Sequence, residues 1–330
     1  MKLEADLKKL PEPFTISLEA DSRCQLKCPA CPTAKIQAAF ADNKSRLTLA
    51  NFNKIVNENP RIRSIELSNA GEIFLNREMG DIIESAFRQG VNLTAVNGTN
   101  FNTLSEEVLE ALVFYGFRYL NISIDGVTQE VYEQYRVGGD LNRVINNIRT
   151  INQYKRKYGT NFPYLNWQFI VFGHNEHQIS NARQMAKELN MSFSLKISDD
   201  PEGISPVRNK ALVREQTGFA DREEFLRKTG RHFVRGMCYM LWNQPQFHWD
   251  GSIHGCYRNP GRPFKGNVFE QPLIEALRSD ELEYTRAMLM GRVPEDSAIP
   301  CYDCELYHVL KETGNWLTEQ EIWSNRLSLG

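Results

Sequence analysis

The sequence contains no run of about 18 consecutive apolar residues, the length a membrane-crossing helix needs. Its amino terminus, MKLEADLKKL, is charged and lacks the apolar core of a secretory signal. Net charge is nearly absent, since 39 basic and 41 acidic side chains leave −2. No gross field therefore draws the chain to nucleic acid or to an anionic membrane. These absences predict a soluble, cytoplasmic protein that does not engage membranes; nucleic acid is not the expected partner, although a local basic groove stays open. Low-complexity segments are missing too, and no repeat appears beyond an alternation of strand-like and helix-like stretches. Cysteine is scarce and odd in number, at seven in 330 residues. In a reducing cytosol that points to metal ligation or catalysis rather than to a disulfide framework.

What is present suffices for one large core, or for one core plus a smaller domain, at 41% hydrophobic residues. Strand character recurs at Phe14–Glu19, Ile65–Ser68, Asn92–Asn97, Tyr119–Ile124, Trp167–Phe172 and Phe193–Ile197. Helical patterns fall between these, near 49–58, 78–89, 104–115, 128–152 and 177–189, and Thr103 with Glu106 reads as a capping box for the third. Such alternation implies parallel strands with crossover helices, in a barrel or an open doubly wound sheet. The pattern breaks near residue 200. We expect an α/β domain over 1–205, a linker with a helix near Arg222–Lys228 over 206–236, a turn-rich α+β domain over 237–310, and a helical tail over 311–330. Trp316 and Trp323 read as packing residues.

The first cysteine group, Cys24-x-x-x-Cys28-x-x-Cys31, follows the first strand on a loop interrupted by Pro29 and Pro32. Three thiolates on one loop can hold three corners of a 4Fe–4S cube and leave the fourth iron open to a small chelating ligand. A zinc knuckle is the competing reading, but zinc recruits a fourth Cys or His at short range, and the nearest candidate is the distant His174.

With this spacing after a first strand, the chain resembles the radical S-adenosylmethionine (SAM) superfamily, over about residues 12–198. Ser68-Asn69-Ala70-Gly71-Glu72 is similar to the family's Gly-Gly-Glu motif, with Gly71 and Glu72 retained. Asn97-Gly98-Thr99 resembles its Thr-Asn-Gly turn. Ser123-Ile124-Asp125-Gly126, followed by Tyr132 and Arg136, resembles the Ser-x-Asp-Gly…Arg segment of the twitch and SPASM branches. The resemblance implies a partial (β/α)6 TIM barrel, with SAM contacted by Gly71, Glu72, Asn97, Ser123, Asp125 and Arg136. Ligand residues at the carboxyl ends of strands suit that architecture. One position departs: the family often has an aromatic after its second cysteine, where this chain has Pro29.

The second group, Cys238, Cys256, Cys301 and Cys304, brackets a strand–turn–strand signature at Trp249–Ile253. Ligand chemistry alone leaves zinc and iron–sulfur both open. The spacing resembles the twitch domain, a shortened SPASM relative, as in the butirosin-type aminocyclitol dehydrogenases, and this implies an auxiliary 4Fe–4S cluster. The seven cysteines then divide as three plus four, and no thiol remains to quench a substrate radical, so cysteine-dependent epimerisation is disfavoured. The resemblance implies reductive cleavage of SAM to a 5′-deoxyadenosyl radical, driven by an external one-electron reductant such as flavodoxin or ferredoxin. Hydrogen abstraction from a sugar, cyclitol or nucleotide-sugar would follow, with oxidation through the auxiliary cluster.

A peptide maturase and a non-cysteine epimerase are the alternatives within the enzyme class; a leader-binding domain is not expected in the 23 residues before Cys24. A zinc-holding binding protein is the alternative outside it. Oxidation of an alcohol also needs a base. Glu176, Asp199, Asp200, Arg208 and His174 lie after the last strands, and the sequence does not choose among them.

Overall fold

The computed structural model describes residues 14–36, 45–198, 204–259 and 261–324. Nine strands form one sheet in the order β6-β5-β4-β3-β2-β1-β7-β8-β9. They are β1 Phe14–Leu18, β2 Ile62–Glu66, β3 Asn92–Thr99, β4 Tyr119–Ser123, β5 Tyr164–Val171, β6 Ser192–Ile197, β7 Gln246–Phe247, β8 Ser252–Gly255 and β9 Phe264–Asn267. The first six are parallel and in sequence order, each joined to the next through helix. This is the expected α/β partial barrel, and its sheet is not closed. β7 then adds in parallel to the outer edge of β1, and β8 and β9 continue it antiparallel.

Residue alternation explains which face is which. Ile16, Leu18, Ile65, Leu67, Leu93, Ala95, Leu120, Ile122, Leu165, Trp167 and Phe169 are buried on one face, in one core with Phe52, Ile55, Leu112, Val144 and Ile148 of the helices. Each Leu, Ile or Phe among them contributes about 1.5–3 kcal/mol on leaving water. The registers Ser17↔Glu66↔Thr94 and Asn121↔Asn166↔Ser192 put polar side chains together on the other face. There they bond across strands: Thr94 Oγ1 donates to Glu66 Oε2 at 2.6 Å, and Asn166 Nδ2 to Asn121 Oδ1 at 2.7 Å. Parallel strands are usually apolar on both faces. Here the inside of the partial barrel is polar.

Three expectations about helices are corrected. The helix Glu106–Phe114 is capped by Ser105, whose side chain accepts from Val108 N, and not by Thr103. The segment 128–152 is two helices, Gln129–Tyr135 and Leu141–Tyr158. The pair Gly138 and Gly139 breaks it, and Asp140 restarts it by capping Arg143 N. Residues 206–236 carry a second helix, Lys210–Thr217, besides Arg222–Thr229. Asn209 and Gly218 bound the extra helix at its two ends.

Candidate active site

The loop after β1 carries Cys24, Cys28 and Cys31. Its backbone is pinned at three points: Cys31 N donates to Cys28 O at 3.1 Å, Lys27 N to Val137 O at 3.0 Å, and Glu72 N to Arg23 O at 2.7 Å. The last contact depends on Gly71. It sits at φ +66°, and a Cβ there would come within 2.1 Å of Asp21 O. Asn100 Nδ2 lies 3.5 Å from Cys24 Sγ, and Arg136 Nη1 lies 3.9 Å from Cys28 Sγ. Leu26, Tyr135 and Phe172 pack with Cys28 in a small apolar cluster, the two rings 4.5 Å apart. Burial pushes the Cys24 thiol up to about 12, and the Glu72 carboxylate adds to the rise. Burial raises Cys28 as well, partly offset by Arg136. Buried thiols of this kind ionise when metal binds. Three thiols on one loop, one buried and two half-buried, with N–H donors aimed at two sulfurs, suit a cluster held at three corners.

The residues expected to meet SAM come together beside this loop. Glu72 is fully buried; Oε2 accepts Asn100 N at 2.5 Å and Oε1 accepts Phe74 N at 3.5 Å. Burial raises its carboxyl to about 7. A buried carboxylate held by backbone donors, with no ion-pair partner among the described residues, is suited to a ligand ammonium. Asn97 donates its N–H to Ser68 Oγ at 3.0 Å, and Ser123 Oγ accepts from Gln168 Nε2 at 3.2 Å. Asp125 is fully taken by the protein: Oδ1 accepts Ile170 N at 2.6 Å and Oδ2 accepts Arg136 Nε at 2.6 Å. It therefore orients Arg136 instead of presenting a free oxygen. Burial works against the charge of Arg136, but Asp125 holds its pKa well above the usual value.

The sequence reading passed over Asn100, which bonds Gln25, Asn102 and Glu72 and faces Cys24. Its only signal is its place one residue beyond Asn97-Gly98-Thr99. Glu66 was missed because it lies inside a strand. It is fully buried and accepts from Thr94 Oγ1 and Val96 N, and from Ser68 Oγ.

The second group flanks β7–β9: Cys238 lies before β7, Cys256 directly after β8, and Cys301 and Cys304 well beyond β9. Cys238, Cys256 and Cys301 are buried and Cys304 is half-buried. Burial raises Cys238 and Cys301 well above the ordinary thiol range, with neighbouring members of the group adding to it, and takes Cys256 to about 11. Cys238, Cys256 and Cys304 each lie near enough to another member of the group to raise its pKa. Tetrahedral zinc at about 2.3 Å would draw its sulfurs to within about 3.8 Å of each other. Among the described residues no three His, Cys, Asp or Glu side chains are gathered closely enough to hold a single metal ion.

Residues 21–184 match the radical SAM superfamily. The chain carries a radical SAM domain. In overall fold it is similar to Streptococcus suis SuiB bound to S-adenosylmethionine, at 16% identity and TM-score 0.66, over 93% of this chain and 75% of that one. It is also similar to histidine-tagged anSMEcpe with bound AdoMet, at 15% identity and TM-score 0.58, over 94% and 98% of the two chains. A curated relative, the probable GTP 3′,8-cyclase of Methanocaldococcus jannaschii, is 20% identical over 233 residues, which is 68% of this chain and 74% of the relative. At these identities the structural likenesses carry the fold.

Around the radical SAM domain, the residues considered as bases fare unequally. Both Glu176 oxygens are taken by the backbone N–H groups of Arg208 and Asn209, at 3.0–3.1 Å, so Glu176 caps a helix start. His174 stacks on Phe172, and burial lowers its pKa. Arg208 contributes its backbone to Glu176. Asp199 and Asp200 lie outside the described residues. No described helix is long and apolar enough to cross a membrane.

Proposed function

We propose that this chain is a radical SAM oxidoreductase acting on a small polar substrate such as a sugar, cyclitol or nucleotide-sugar. In this reading Cys24, Cys28 and Cys31 hold the 4Fe–4S cluster that binds SAM, and Cys238, Cys256, Cys301 and Cys304 hold an auxiliary 4Fe–4S cluster in a twitch/SPASM-like region over 237–310. The observation that carries it is the seam between β1 and β7. It joins the four-thiol region directly to the strand that feeds the three-thiol loop, and every cysteine belongs to one group or the other.

When bound, the two clusters and SAM supply a carbon radical able to abstract hydrogen and an acceptor for the electron left behind. The protein's part follows from its side chains. Glu72 takes the ammonium of SAM, Arg136 is held by Asp125 to meet its carboxylate, and Gly71, Asn97 and Ser123 complete the contacts. Leu26, Tyr135 and Phe172 keep water from the cysteine loop. The polar barrel interior, with Asn121, Asn166 and Gln168 already fixed by mutual hydrogen bonds, orients a hydrophilic substrate. A flavodoxin or ferredoxin is the external reductant of this reading.

Peptide maturation is the second reading. The β6 edge supports it: Ser192 and Ser194 there are exposed, leaving room for a longer substrate. Anaerobic reconstitution tests the main proposal. About eight iron atoms per chain and release of 5′-deoxyadenosine are expected. A colourless zinc protein would overturn it. Deuterium transferred from a singly labelled sugar into deoxyadenosine separates oxidation of small substrates from peptide chemistry.

A further inference from the structure

Just past the end of β1, Glu19 is completely buried and its Oε1 has no hydrogen-bond partner. Its Oε2 accepts Ser22 Oγ at 2.8 Å and lies 3.6 Å from His248 Nδ1. A buried carboxylate oxygen without a donor bears a desolvation penalty that an arriving donor removes. Two more such acceptors are close by. The Phe247 carbonyl, which takes Glu19 N–H at 2.9 Å, also takes Asn69 Nδ2 at 3.4 Å. The Oδ1 of Asn69 and the Oε1 of Gln246, next to Phe247 in the chain, are buried and unpartnered. Three open acceptors thus gather where β1, β2 and β7 meet.

The position matters as much as the chemistry. Glu19 lies five residues before Cys24, and the Gly71–Glu72 turn rests on the backbone of residues 21–23. On the other side, the His248 ring stacks on His254, with centroids 3.4 Å apart and planes within 5°, and His254 is two residues before Cys256. The acceptors therefore sit between the two cysteine groups.

We propose that Glu19, with Asn69 and Gln246, forms the subsite that takes a hydroxyl or ammonium group of the substrate, which makes the substrate a small polyol or amino alcohol. This rests on the reading given under Proposed function and narrows its substrate class. The groups facing Glu19 agree with it. Asp21, on its own segment, is paired with Arg23 at 2.6 Å. From the β7–β8 hairpin come Asp250, His248 and the Trp249 backbone, which lends the carboxylate a weak hydrogen bond outside ordinary geometry. Burial, with His254 adding, pushes His248 down to about 3, so no cation there competes for the carboxylate. Burial raises Glu19 itself to about 7, and an arriving donor offsets that cost of burial.

The test is equilibrium binding of glucose and glucosamine to the reconstituted holoprotein with SAM present, read by calorimetry and by saturation-transfer NMR. Both probes bind the wild type if the subsite is real. Tighter binding of glucosamine identifies an ammonium as the preferred group, and equal binding identifies a hydroxyl. Glu19→Ala weakens binding at least about tenfold, in line with a lost hydrogen bond to a charged group. The isosteric Glu19→Gln, with folding checked by thermal melting, weakens it less. Equal affinity in wild type and Glu19→Ala, or no binding of either probe to the wild type, overturns the subsite. The same samples report the SAM-induced change in the cluster spectrum. Its absence in the wild type would overturn the radical SAM reading, while probe binding still reports on Glu19.

Discussion

The Nε of Arg136 lies 2.6 Å from Asp125 Oδ2, and the pair is shielded from solvent, with side-chain exposures of 12% and 0%. Through this contact the end of β4 reaches the cysteine loop, because Nη1 of the same arginine faces Cys28 Sγ. Arg136→Ala leaves Asp125 buried and uncompensated. We expect a loss of about 3–5 kcal/mol in urea unfolding, the usual consequence of removing one partner of a buried pair. Arg136→Ala/Asp125→Asn should recover part of the stability and none of the SAM affinity. A double variant that binds SAM normally would show that Arg136 serves folding only.

Glu72 gives a pH prediction. Burial raises its carboxyl from 4.5 to about 7, so the folded state prefers the proton more strongly than the unfolded chain does. Its contribution is therefore full below pH 4.5 and is lost as pH rises through about 7. Glu72→Gln in the cluster-free protein should flatten the fall in melting temperature between pH 5 and 8. SAM binding to the reconstituted variant should weaken at the same time.

Gly71→Ala is expected to be severe. The new Cβ would meet Asp21 O at 2.1 Å and Ser22 C at 2.6 Å, and all of this is backbone that cannot swing aside. With the cost of a positive φ added, a loss of more than about 2 kcal/mol is expected, together with loss of SAM binding. Gly80→Ala, where a Cβ meets nothing within 4 Å, should be tolerated.

The two cysteine groups should separate in iron content. Cys28→Ala should retain about four iron atoms per chain, in the auxiliary site, and lose all SAM cleavage. Cys301→Ala should keep some cleavage but form no product. Full product turnover in Cys301→Ala would refute an electron-accepting role for that group.

Helix capping offers a check on the fold alone. Ser105→Ala should cost about 1 kcal/mol, because its side chain caps Val108 N, while Thr103→Ala should be nearly neutral.

The sequence disclosed the six parallel strands because their alternation is regular, and the helices between them because their apolar faces recur. The cysteine loop and the turns at Gly71 and Gly98 were legible for a related reason: few residue types satisfy such geometry. At Gly98, for example, a side chain would strike Ser123 Oγ at 2.6 Å. The helix break at residues 136–140 was overlooked, since the apolar period of 128–152 runs through it, and only the glycine pair marks the stop. Glu19, Asn100 and His248 stayed hidden because nothing local distinguishes them. Their meaning comes from partners tens to hundreds of positions away. A polar residue inside a strand looks like an ordinary surface alternation until the sheet curls around it.

The pairing of Ser17 with Gln246 has a bearing on how the molecule is made. β1 leaves the ribosome well before β7, so one of its edges waits for a partner roughly 230 residues later in the chain. Until β7 has emerged, that edge offers bare backbone donors and acceptors next to three free thiols. Nascent chains halted between β1 and β7 are thus the form most exposed to aggregation and oxidation.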